Sequence, residues 1–372
     1  MVILITINKP LIGDKEKEEV MKVLDSGRLT DSSFDGSVMV REFEKSLAKF
    51  VGVKHAIAVN SGTSALMASL IALDIGYGDE VLIPSFTFVA TANAVLARGA
   101  KPVFVDINLN DYTMDIYDLE RKMNKRSKAI IPVHLYGHPA DMNPIIKLAR
   151  ENDLFVIEDA AQSLGSSYKG NQTGSIGDLG CFSFYSTKVV TCGEGGAIAT
   201  NDDDLCVRLK KIRNNGIASN HNPEVLGLNL RMPEIEAALI NVQMRRINSF
   251  LERRRKNAKM LSEYLNDLKG VILPRERNDC IYNWYLYTIS LEKNRDMVLK
   301  ILNDKGIGAT VYYRTPLHKT HLYKKIGYGN ENLPKSIWAS EHVISLPVHP
   351  ELTEQDIFII ASSVKDVIKT SF

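Results

Sequence analysis

Several short stretches of this chain carry residue types that could act together on a flat, phosphorylated molecule. In Phe182-Ser183-Phe184-Tyr185-Ser186-Thr187-Lys188 a lysine ends an aromatic, strand-like run and precedes a glycine-rich turn, Gly193-Glu194-Gly195-Gly196. Lys188 is either a loop cation whose ammonium reaches water or an amine that forms a Schiff base, which needs a partly desolvated setting. In Val156-Ile157-Glu158-Asp159-Ala160-Ala161-Gln162 an aspartate closes an apolar run. It is either a turn or cap residue or a carboxylate facing a heterocyclic nitrogen, as pyridoxal phosphate chemistry requires. Asn60-Ser61-Gly62-Thr63-Ser64-Ala65 offers small residues where a helix begins. Such a turn caps the helix or lets a phosphate reach the backbone N–H groups. Pro84-Ser85-Phe86-Thr87-Phe88 supplies aromatics for the core or for stacking on a ring. Phosphate cradle, ring stacker, carboxylate and lysine in this order favour the lysine that does chemistry.

The elements that must position these residues are legible in the pattern. Strands are expected at His55–Val59, Glu80–Ile83, Pro102–Val105, Ala129–Val133 and Leu154–Glu158, with helices at Ser61–Leu73, Val89–Ala97 and Asn143–Arg150. The strands are apolar throughout rather than alternating, as in a sheet covered by helices on both faces. The fold class is therefore α/β, with a large domain built on a mainly parallel sheet. A long helix is expected from near Met232, running through Arg253-Arg254-Arg255-Lys256, which reads as a solvated helix face. Beyond it, strands at Trp284–Leu291, Thr310–Tyr313 and Val343–Leu346 and helices at Arg295–Leu302 and Glu354–Lys369 suggest a smaller α+β domain. The division expected is a large domain over 1–249 and a small C-terminal domain over 250–372.

Composition narrows the class of function. The 372 residues are 45% hydrophobic and 24% charged, with a net charge of +2. That balance is ordinary for a globular protein and gives no footprint for nucleic acid or a polybasic membrane surface. The apolar start, Met1 to Ile7, lacks a basic segment and a small-residue cleavage site, and no apolar run approaches a membrane span. Cys181, Cys192, Cys206 and Cys280 form no Cys-x-x-Cys pair, so neither a metal site nor a disulfide framework is expected. A cytoplasmic protein is the simplest account.

On these motifs the chain resembles the DegT/StrS family of sugar-nucleotide aminotransferases, which share the aspartate-aminotransferase fold, fold type I of the pyridoxal phosphate enzymes. Gly62-Thr63-Ser64-Ala65 is similar to the family's phosphate-binding turn, and Phe88 to its ring-stacking aromatic. Glu158-Asp159-Ala160-Ala161-Gln162 resembles the motif that faces the pyridine nitrogen, with Gln162 near the cofactor's phenolic oxygen. FSFYSTK followed by GEGG resembles the Schiff-base segment, which implies Ser183 on the phosphate and Lys188 on the cofactor aldehyde. Gly227-Leu228-Asn229-Leu230-Arg231-Met232 resembles a loop whose asparagine, here Asn229, reaches the phosphate of the neighbouring subunit, implying a homodimer. Tyr312-Tyr313 with Pro316-Leu317-His318, and Ser345-Leu346-Pro347 with His349-Pro350, resemble the C-terminal motifs. Tyr313, His318 and Arg314 are thereby expected on the substrate side.

The resemblance implies that Lys188 binds pyridoxal 5'-phosphate, is displaced by an amino donor such as glutamate, and then serves as general acid–base. The amino group passes to a keto-sugar nucleotide. Relatives that dehydrate sugars carry histidine at the lysine position, so Lys188 favours transamination. Tyr136-Gly137-His138-Pro139-Ala140-Asp141-Met142 and the Asn-x-Arg-Met loop resemble the 4-keto-hexose, perosamine-synthase-like enzymes more than the 3-keto ones. Two positions depart from the family pattern: Val189 stands where asparagine is frequent, and Arg314 where proline is. A 3-keto-sugar aminotransferase, a fold-type-I enzyme acting on amino acids, or a non-catalytic nucleotide-sugar-binding relative are the competing readings.

Overall fold

The computed structural model describes residues 4–219 and 221–371. Of the apolar N-terminal stretch, Met1, Val2 and Ile3 lie outside the described residues. The central sheet has seven strands: β1 (His55–Val59), β2 (Glu80–Pro84), β3 (Lys101–Val105), β4 (Ser127–Ile130), β5 (Phe155–Asp159), β6 (Leu179–Ser183) and β7 (Gly196–Thr200). Their spatial order is β1-β7-β6-β5-β4-β2-β3. β7 runs antiparallel to both neighbours, and the other pairings are parallel. Helices Gly62–Ala72 and Val89–Ala97 form where expected, one capped by the Ser61 hydroxyl, which accepts the Ser64 N–H. β4 is shorter than Ala129–Val133 suggests; Val133 makes only an isolated parallel bridge to Asp159. The apolar strands are buried on both faces, which is why the sequence pattern does not alternate.

Because β1, β2, β5 and β6 all point the same way, the turns that follow them emerge at one edge of the sheet. In open α/β sheets that edge binds ligands. β7 closes the gap between the turn at Ser61-Gly62 and the segment that leads to Lys188, since Gly196 pairs with both Val59 and Ser183. A methyl group on Gly196 would stand 2.2 Å from the Ser61 carbonyl oxygen. The last glycine of Gly-Glu-Gly-Gly is therefore the space into which the turn at Ser61-Gly62 fits.

The helix Glu234–Leu265 follows, and position 250 falls inside it. Its first half packs on helices Asp14–Ser26 and Val38–Val51, and its second on Glu354–Ser371. A small antiparallel sheet, β8 (Val271–Ile272), β9 (Tyr287–Leu291) and β10 (Val343–Leu346), completes the C-terminal region. Two expectations need correction. Residues 284–286 are not strand, because Trp284 adopts φ 54° and turns the chain before β9. Thr310–Tyr313 is likewise no strand; Thr310 makes a single bridge to Ser345, and the following residues leave the sheet.

The basic run Arg253-Arg254-Arg255-Lys256 is not uniformly solvated. Arg253 and Lys256 are exposed, but Arg254 is buried with Ile247, Phe250, Leu251, Ala258, Leu261 and Leu265. Those spacings are a helical stripe, and Arg254 lies on it. Among the described residues no helix is long and apolar enough to cross a membrane.

Candidate active site

The carboxylate of Asp159 ends β5 in a buried position. Thr91, on the helix after β2, donates its hydroxyl to Oδ2 at 2.8 Å, and the Ala161 N–H reaches Oδ1 at 3.2 Å. No cationic side chain pairs with it among the described residues. Burial pushes its pKa above the usual carboxylate value; the bonds from Thr91 and Ala161 and the charge of Lys188 offset this only in part. An uncompensated buried carboxylate is the half of an ion pair that a protonated ring nitrogen would complete.

Glu158, next in the strand, points to the opposite side and anchors it. Its carboxylate accepts N–H groups from Gly174 at 2.8 Å and from Ile176 and Gly177 at 2.7 Å. His134 Nε2 lies 2.9 Å away, and both side chains are fully buried. The Ala140 N–H donates to His134 Nδ1 at 3.0 Å, so the ring proton resides on Nε2 and is donated to Glu158. The His134 N–H in turn donates to the Asp159 carbonyl.

Gln162 lies in the turn beyond Asp159. Its Oε1 accepts the Tyr136 N–H at 2.9 Å, and its Nε2 donates to the Tyr313 hydroxyl at 3.1 Å. Tyr313 thus joins the site, stacked on Tyr136 and edge-on to Phe86. Arg314 and His318 lead elsewhere. Arg314 donates to Asp296 at 2.9 Å on the surface. His318 is buried, its Nδ1 2.6 Å from the Ser85 hydroxyl, and burial lowers its pKa to about 4.

Lys188 follows β6 and is half-buried. Its Nζ stands 4.7 Å from the centroid of the Tyr285 ring. Val189, the departure beside it, is buried in the core. Ser183 closes β6 against the turn at Gly62: a methyl group on Gly62 would stand 2.8 Å from Ser183 Cβ. The N–H groups of Gly62 and Thr63 belong to a first helical turn, which supplies them no acceptor. Phe88 is 58% exposed at the start of its helix, one turn before Thr91. Asn229 is exposed, while its carbonyl accepts a bond from Asn60 Nδ2 at 3.5 Å.

These residues fit pyridoxal phosphate. Open N–H groups and the Ser183 hydroxyl suit a phosphate dianion, Phe88 has a free ring face, Asp159 lacks a cationic partner, and Lys188 supplies the amine. Thr91 and Tyr285 lie outside the motifs read from sequence, and Glu158 enters there only as a neighbour of Asp159. Thr91 carried one usable signal, its place one turn after Phe88. Tyr285 carried none, since the contact spans about a hundred residues of chain.

Comparison with known proteins gives the same picture. The family model described as DegT/DnrJ/EryC1/StrS aminotransferase matches residues 10–365. GDP-perosamine synthase of Caulobacter vibrioides is 37% identical over 371 residues, 98% of each chain. UDP-N-acetyl-3-dehydro-alpha-D-glucosamine 3-aminotransferase of Acidithiobacillus ferrooxidans is 40% identical over 338 residues, 91% of this chain and 90% of that one. DesV of S. venezuelae, solved by X-ray crystallography in complex with a ketimine intermediate, superposes with a TM-score of 0.91. It is 34% identical, with 96% of this chain and 95% of that one covered.

Proposed function

The chain belongs to the DegT/DnrJ/EryC1/StrS aminotransferase family and is a pyridoxal-phosphate-dependent sugar aminotransferase; from that premise we propose that it moves an amino group from glutamate to the 4-keto group of a 6-deoxyhexose nucleotide, with Lys188 and Asp159 carrying the chemistry. The observation that carries the assignment of residues is the buried, unpaired Asp159 carboxylate on the same sheet edge as Lys188. When bound, pyridoxal phosphate supplies an electron sink for the exchange of an amino group. Gly62, Thr63 and Ser183 would hold its phosphate, Phe88 and Gln162 would orient its ring, and Asp159 would keep a proton on its nitrogen. Lys188 Nζ would join it at rest and, once free, take and return a proton at the reacting carbon. Asn229 would complete the phosphate cradle of the second subunit in a homodimer.

The 4-keto preference rests on the likeness of residues 136–142 and of the loop 227–232 to the perosamine-synthase type, and on the near end-to-end match with a GDP-perosamine synthase. A 3-keto substrate is the second reading, favoured by the 40% identity to a 3-aminotransferase. The deciding experiment incubates purified protein and glutamate with a panel of 3-keto and 4-keto sugar nucleotides. 2-Oxoglutarate release is measured, and the aminated carbon is located by NMR. Amination at C4 of a 6-deoxyhexose is expected. Amination at C3 alone supports the second reading, and turnover confined to amino acids and 2-oxo acids rejects both.

A further inference from the structure

Arg254 is 2% exposed and has no carboxylate partner among the described residues. Its Nη1 donates to the carbonyls of Tyr285 at 3.1 Å and Trp284 at 3.3 Å, and its Nη2 to Asn8 Oδ1 at 3.1 Å; its Nε meets no acceptor. Burial lowers its pKa to about 10, so it remains charged near neutral pH. An unpaired buried charge is costly, which raises the question of what it holds. Two of its contacts are the backbone of one turn, and that turn presents Tyr285.

Tyr285 is fixed at each of its polar groups. Its N–H donates to Asn283 Oδ1 at 2.8 Å, and Asn283 Nδ2 donates to the carbonyls of Gln162 at 2.9 Å and Leu164 at 3.0 Å. Its carbonyl receives Arg254, and its hydroxyl lies 3.0 Å from the Thr187 hydroxyl. One face of its ring lies under Lys188 Nζ. The turn therefore links the loop after Asp159 to the residue before Lys188.

We infer that Tyr285 is a positioning residue for the reacting amine: its ring face holds the Lys188 ammonium whenever that amine is not joined to the cofactor, and Arg254 holds the ring in place. The inference rests on the reading that Lys188 carries the cofactor. A lysine on a four-carbon stem must stay within reach of the reacting carbon after it is displaced. A carboxylate there would bind the ammonium strongly and favour its charged form. An aromatic face attracts the cation more weakly and takes no proton, so the amine is kept in place and still released to act.

The test compares Tyr285→Phe, which keeps the face and loses the hydroxyl, with Tyr285→Leu, which loses both. In cofactor-free protein carrying 13C-labelled lysine, the Lys188 side-chain signal is identified by its loss in Lys188→Ala. It is expected to show an upfield ring-current shift in wild type and Tyr285→Phe, and none in Tyr285→Leu. In the loaded enzyme, Tyr285→Leu is expected to lower kcat roughly tenfold, the scale of a cation–π contact to a half-buried lysine, between the exposed and the desolvated limits, with KM for the donor unchanged. Tyr285→Phe should stay within about threefold. Arg254→Lys keeps the charge but not the paired carbonyl contacts, and should reduce both the shift and kcat. An unshifted wild-type signal, wild-type turnover in Tyr285→Leu, or an equal loss in Tyr285→Phe each overturns the inference. If Tyr285→Leu does not fold, Tyr285→Met carries the same comparison. Borohydride fixation with peptide mapping separates the two claims. Cofactor fixed at another lysine rejects the Lys188 reading, whereas cofactor fixed at Lys188 with unchanged kinetics rejects only the role of Tyr285.

Discussion

Replacing Glu158 by glutamine tests the frame that carries Asp159. The two carboxylate oxygens divide their donors: Oε1 accepts from Ile176 and Gly177, and Oε2 from Gly174 and His134. Glutamine must set an NH₂ group against one of these pairs. If it replaces Oε1, two backbone N–H groups face a donor. If it replaces Oε2, Gly174 loses its acceptor, and His134 cannot accept instead without turning a proton toward the Ala140 N–H. Whichever way the amide turns, at least two buried donors lose a charged acceptor. Hydrogen bonds to charged groups contribute about 1.5–3 kcal/mol each, so the substitution should cost about 3–6 kcal/mol. That is a large share of a typical folding free energy of about 5–15 kcal/mol. Thermal unfolding of the cofactor-free variant should shift clearly downward. Hydrogen exchange at Gly174, Ile176 and Gly177 should speed up more than in the rest of the sheet. Activity should fall with them, because the same strand end carries Asp159. Wild-type unfolding together with wild-type protection of those amides would refute the reasoning.

Further predictions concern Asp159 and Asn229. Burial raises the Asp159 pKa in the cofactor-free protein. Its contribution to stability is therefore complete below the ordinary value of 3.8 and is lost as pH rises through the raised, folded value. Asp159→Asn removes that charge while its amide can still accept from Ala161 and donate to Thr91. The cofactor-free variant should unfold at a higher temperature than wild type near neutral pH, with the gap closing in acid, and should gain less from added cofactor; a variant no more stable at neutral pH contradicts this. If the site is shared as proposed, Lys188→Ala and Asn229→Ala should each be inactive alone, and the two are unfolded and refolded together. Activity should return in heterodimers, since one site then has both residues intact, and confirmed heterodimers without activity would remove Asn229 from the partner's site.

The sequence by itself determined the fold class and the order of the site motifs. Apolar strands alternating with helices leave few architectures, and Ser61, Asp159 and Lys188 follow runs whose pattern marks them as strands. These are local signals: a strand's burial and a helix's cap are written within a few residues. The side chains that hold the site were not legible in that way. Arg254 sits in a charge run that reads as solvated, and only the packing of the long helix turns it inward toward the turn at Tyr285. His318 carries a motif expected at the substrate, yet the loop after β2 draws it under Ser85. Thr91 and Tyr285 come from a helix and a turn far along the chain from the groups they touch. Such contacts depend on sheet order and on which face each element buries. Tertiary packing alone decides both, because the free energy of placing a side chain against a distant partner leaves no periodic mark on the residues around it.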